Sequence, residues 1–143
     1  MSLILLGGLS GACAGSILLF LSHIAPRWGA GNLMRDTDEP RFFGRAVSRR
    51  EAHLFGMVFH LALSFLFGAV FAWCVHEGLF PNFGGIPLGI YAILITFVMG
   101  GVIAPLEGHG IFGIKEDAWY PVDLVITNAL WVGLYGVVMG VVG

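Results

Sequence analysis

The chain has 143 residues, 57% of them apolar and only 11% charged, with 22 glycines, a net charge of −2 and a mean hydropathy of +0.88. Soluble domains carry roughly 25% charged residues, and seven basic and nine acidic side chains cannot cover a water-exposed surface of this size. Composition therefore excludes an ordinary soluble enzyme. It excludes a nucleic-acid surface as well, because six of the seven basic residues are confined to the stretch from Arg27 to Arg50.

The first apolar segment covers residues 3–25 and is stopped by Pro26. Each segment of this kind is about 20 residues or longer, enough at 1.5 Å per residue to cross a hydrocarbon core of roughly 30 Å. Ser10-Gly11-Ala12-Cys13 has the small residues of a lipoprotein processing site. A basic region before it is missing and the apolar run continues past it, so the segment reads as an uncleaved span. Cys13 and Cys74 each stand alone in an apolar run, which argues against a disulfide framework or a thiol-redox centre.

Residues 26–51 form the longest connection and carry Arg27, Arg35, Arg41, Arg45, Arg49 and Arg50. Its first duty is to set orientation. Arg41, Arg45 and Arg49 recur every four residues, which would give one basic face on a helix, and with Arg50 they are candidates for lipid-headgroup contact. Asp36, Asp38 and Glu39 precede them without a calcium-loop pattern.

The second segment covers 52–75, the third 87–106 and the fourth 120–142. None shows the two-residue alternation of a barrel strand, and lipid leaves the backbone no hydrogen-bond partners, so the segments must be helices. The prediction is an all-α integral membrane protein of one domain, 1–143, with four transmembrane helices in one antiparallel bundle. Loop one holds six basic residues, the third loop holds Lys115 and the second loop none. The positive-inside rule places loops one and three in the cytoplasm and both termini outside. Trp28, Trp119 and Tyr120 then fall at the inner boundary, Trp73 and Tyr91 at the outer one, and Trp131 and Tyr135 deeper.

Small residues recur at four-residue spacing: Gly7, Gly11 and Gly15 in the first helix, Ser64, Gly68 and Ala72 in the second, Gly136 and Gly140 in the fourth. In lipid the hydrophobic effect does not drive helices together, so residues that admit close backbone approach carry much of the packing. Contact within the chain is the simpler reading, and contact between copies the alternative.

Ionisable and amide groups inside a membrane are costly, so each marks a functional candidate. His60 lies two turns past His53, roughly 10 Å deeper, and Asn128 reaches a comparable depth from Pro121. A His60–Asn128 hydrogen bond across helices is the leading expectation. A second group, His23, His53, Glu107, His109 and Asp123, gathers at the inner helix ends. Imidazole and carboxylate could hold a divalent metal or haem there, but no HxxH, HxxxH or ExxH spacing occurs and such a site is not favoured. The run from Gly108 to Gly113 lacks the ending of a phosphate loop, and no nucleophile elbow, Walker motif or HExxH appears, so no catalytic residue is assigned.

The glycine-rich first span, Gly56-Met57-Val58-Phe59-His60, the run Gly108 to Gly113 followed by Pro121, and Val132-Gly133-Leu134-Tyr135-Gly136 form one pattern. In it the chain resembles an uncharacterised family of small bacterial four-helix inner-membrane proteins, a domain of unknown function. The resemblance covers helices two to four best. It implies a bacterial inner-membrane location and a preference for His60, and no activity. The favoured function is a non-enzymatic subunit or scaffold packing against other membrane subunits or itself, in contact with lipid and not nucleic acid. The alternatives are a small transporter or channel with a polar path in its cytoplasmic half, and a haem- or metal-binding redox subunit.

Overall fold

The computed structural model describes residues 2–24, 41–42, 45–46, 48–115 and 118–142. Within them run α1 (Leu3–Ile24), the two-residue strands β1 (Arg41–Phe42) and β2 (Arg45–Ala46), α2 (Arg49–His76), α3 (Gly85–Val98), α4 (Ala104–Leu106) and α5 (Tyr120–Val142). Four helical stretches are long and apolar enough to cross a membrane: Leu3–Ser22, Leu54–His76, Gly85–Leu106 and Tyr120–Val142. The chain is an all-α integral membrane protein with a four-helix fold.

The second helix and the stretch before it differ from the sequence reading. The second helix starts at Arg49 because Ser48 and Glu51 form a reciprocal cap: the Glu51 amide donates to Ser48 Oγ at 3.3 Å, and the Ser48 amide donates to Glu51 Oε2 at 3.0 Å. Two otherwise orphaned amides at the helix start are satisfied together. Upstream, Arg41 and Arg45 belong to an antiparallel pair, Arg41 opposite Ala46 and Phe42 opposite Arg45. They do not share one helical face with Arg49.

The third span is not uniform α-helix. After Val98 the chain widens into a π-helical turn, Met99–Ile103, in which the Ala104 amide donates to the Met99 carbonyl, before α4 resumes. Pro105 makes the wider turn accessible by weakening α geometry here. It has no N–H for the Gly101 carbonyl, its ring crowds that oxygen, and the adjacent Gly100 and Gly101 yield to the wider turn.

The bundle is assembled by two kinds of contact. Along the antiparallel α1–α2 seam, Gly7 faces Gly68 and Ala72, Gly11 faces Ser64 and Gly68, and Gly15 faces Ser64 and His60. A side chain at Gly7 would come within 2.7 Å of the Gly68 carbonyl oxygen, and one at Gly11 within 3.0 Å of the Gly68 Cα, so the backbones themselves are in contact. Gly136 lies against Leu88, whereas Gly140 has nothing within 4 Å.

Rings fill the remaining interior. Phe71 is fully buried and meets Tyr91 at 4.7 Å, Phe80 at 5.2 Å, Phe83 at 5.6 Å and Tyr135 at 5.9 Å between ring centres. Tyr91 Oη donates to the Phe67 carbonyl at 2.7 Å and Tyr135 Oη to the Gly68 carbonyl at 3.1 Å, so α3 and α5 are tied to consecutive carbonyls of α2. Tyr91 is therefore an interior residue, 5% exposed, and not the boundary anchor its place in the sequence suggests. Its hydroxyl finds a buried carbonyl in place of the headgroup region.

Candidate functional site

Polar groups collect in two places, the interior between the third and fourth spans and the loop that follows the third span. In the interior, Asn128 Nδ2 donates to Thr96 Oγ1 at 3.0 Å, and Thr96 Oγ1 donates in turn to the Ala92 carbonyl at 2.7 Å. Asn128 and Thr96 are both buried, 8% exposed each. Their relay ends on a backbone oxygen of α3, which gives the buried amide of α5 a partner within the protein.

His60 does not join this relay. The expected His60–Asn128 bond is replaced by Asn128–Thr96, and the His60 Nε2 is buried against Gly15 of α1, where a methyl group would lie 3.5 Å from it. Heptad spacing places both residues at one depth but does not set which neighbour each helix turns toward. The glycine seam turns α2 toward α1, and the α3–α5 packing turns Asn128 toward Thr96. Two buried nitrogens have no hydrogen-bond partner among the described residues, His60 Nε2 and Trp131 Nε1. Trp131 was legible only as an aromatic. It stacks on Tyr135 with ring centres 5.4 Å apart and planes 9° apart, and meets Phe67 edge-on at 6.5 Å.

After the third span, Glu107 and His109 stand together, Nε2 to Oε2 3.7 Å, and the His109 ring lies 5.8 Å from that of Tyr120. Burial pushes the Glu107 carboxyl above the ordinary carboxylate range, and the neighbouring His109 pulls partly back. Asp123 is half-buried in the first turn of α5, where the helix dipole favours a carboxylate, and its amide donates to the Trp119 carbonyl at 3.1 Å. Among the described residues no three of His, Cys, Asp and Glu stand close enough to share a metal ion. The side chains of His23, His53, Arg41, Arg45 and Arg49 lie outside the described residues; Arg50 is exposed.

The loop holding Glu107 and His109 folds back on itself. The His109 amide donates to the Ala104 carbonyl at 2.9 Å and the Lys115 amide to the His109 carbonyl at 3.2 Å. Gly108, Gly110 and Gly113 take positive φ, and so does Phe112, at 52°. For a residue with a large side chain that conformation costs about 1–2 kcal/mol, which the surroundings must offset. The Phe112 ring lies over Gly100 in the π turn and meets Phe97 edge-on at 5.7 Å.

No family model, curated protein or solved structure matches the chain.

Proposed function

We propose that this protein is a non-enzymatic subunit or scaffold of a larger membrane assembly, in a bacterial inner membrane, with both termini outside and the basic loop 26–51 inside. The observation that carries the reading is the division of its glycines. Gly7, Gly11, Gly15 and Gly68 are used up in the α1–α2 seam, while Gly56, Gly89, Gly101, Gly133 and Gly140 lie within the apolar spans with nothing within 4 Å. A glycine exposes more backbone than any other residue and costs about 0.5–1 kcal/mol in a helix relative to alanine. Small residues at a lipid-facing surface gain from that cost when another helix packs closely on them. The ring-filled centre around Phe71 suits a packing role in the same way.

The test is purification in mild detergent with identification of co-eluting proteins. A defined partner, or a second copy, should co-elute with the wild type and be lost from Gly133→Leu, while the variant chain itself remains folded. A monodisperse chain that carries its full activity alone contradicts the proposal. One feature favours a second reading, a small transporter: the π turn at Met99–Ile103 interrupts a span, as irregular turns at functional sites do. Flux through liposomes that disappears in Asn128→Leu would support it over the subunit reading.

A further inference from the structure

The π turn and the loop beneath it fit each other at one point. Gly100 is buried, and a Cβ there would come within 2.8 Å or less of several Phe112 ring atoms, so the ring occupies the space that a side chain would need. Gly101, the next residue, has nothing within 4 Å. Phe112 is the only non-glycine residue with positive φ among the described residues, and the ring that this conformation aims at Gly100 also meets Phe97. Seating the ring is thus bought with a disfavoured backbone.

We propose that Phe112 is a latch: seated on Gly100, it holds the third span in its π turn and keeps the inner loop folded over Glu107. A π turn contains one residue more than an α turn. If the ring leaves, the turn can close to an α geometry kinked at Pro105, and the two sides of it must then rotate by about 100° relative to each other. Gly85–Val98 is held in place by the Tyr91–Phe67 and Asn128–Thr96 hydrogen bonds. The part that turns is the short inner end, Ala104–Leu106, carrying Glu107 and His109 with it. Glu107, only 26% exposed in the seated state, swings toward solvent. The latch is a switch for that side chain, whichever function the bundle serves.

Lys115 is the only lysine in the chain and lies exposed at the end of the loop, so a lysine-specific protease has one site to cut. Cleavage of detergent-purified protein tracks how often the loop opens. Phe112→Gly keeps the backbone conformation accessible and removes the ring; Gly100→Ala removes the seat; Gly101→Ala adds the same methyl one residue away. The first two should be cut about tenfold faster than wild type or more, and Gly101→Ala at the wild-type rate. Cleavage of Phe112→Gly at the wild-type rate overturns the latch even if Gly100→Ala fails to fold, and so does equal acceleration by Gly100→Ala and Gly101→Ala. In a Cys13→Ser, Cys74→Ser background, Glu107→Cys should react with a polar maleimide faster once Phe112→Gly is added. Unchanged labelling overturns the swing of residue 107.

Discussion

Gly11→Ala is the smallest change that should loosen the bundle. The added methyl would meet the Ser64 carbonyl oxygen and lie 3.0 Å from the Gly68 Cα and 3.2 Å from its amide nitrogen. These are backbone atoms and no rotamer change can move them aside. Ordinary contact requires the two helices to part locally by roughly 1 Å, a gap that forfeits a quarter to a half of the dispersion energy of the contacts it opens. Those contacts extend from Gly7 to Gly15, and they hold α1 and α2 together where no hydrophobic effect assists. Overpacking of this kind costs about 1–3 kcal/mol, set against about 0.5–1 kcal/mol gained from replacing glycine by alanine in a helix. The net effect is a loss of up to about 2.5 kcal/mol. Gly140→Ala meets nothing within 4 Å and should keep only the gain. Equilibrium unfolding in mixed micelles, followed by tryptophan fluorescence, should move the two variants in opposite directions from wild type. Gly11→Ala at least as stable as Gly140→Ala refutes the backbone seam.

Three other outcomes follow from the interior and the loop after the third span. Phe71→Ala removes the fully buried ring on which Tyr91, Phe80, Phe83 and Tyr135 converge, and should cost about 3–5 kcal/mol in the same unfolding assay. Thr96→Val leaves the buried Asn128 amide without its acceptor and should cost about 1–2 kcal/mol, whereas the double variant Thr96→Val, Asn128→Leu should recover part of that loss. The folded state raises the Glu107 pKa, so it binds that proton more tightly than the unfolded state does. The contribution is therefore full below the unfolded value of the carboxyl and is lost as pH rises through the folded one. Wild-type stability should fall over that window relative to Glu107→Gln, and parallel pH profiles for the two proteins count against a buried Glu107.

The membrane spans were legible because length and hydropathy are nearly sufficient to define them: each span needs about 20 apolar residues, and lipid forces every backbone group into a helix. The fourth helix, 120–142, begins and ends where its sequence places it. Four-residue spacing of Gly7, Gly11, Gly15 and of Ser64, Gly68, Ala72 is visible in the sequence, and these residues line the α1–α2 crossing. Rotation of each helix about its axis was not legible. His60 and Asn128 share a depth but look toward different neighbours, and Tyr91 exchanged a boundary position for a carbonyl of α2. Two local signals stand in the sequence as well. Ser48 and Glu51 spell a helix cap three residues apart, and Gly100-Gly101 four residues ahead of Pro105 announces a disturbed turn. The seat of Phe112 on Gly100 has no sequence signal, since a contact made through the absence of a side chain leaves only a glycine behind.

A chain with four spans has both of its ends on one side of the membrane. Single cysteines placed by Gly31→Cys, Asn82→Cys or Val142→Cys, in the Cys13→Ser, Cys74→Ser background, test this in intact cells with a membrane-impermeant maleimide. Positions 82 and 142 should label from outside, and position 31 only after the membrane is opened. Labelling of 82 and 142 from opposite sides, or of all three from one side, would contradict four membrane-crossing helices.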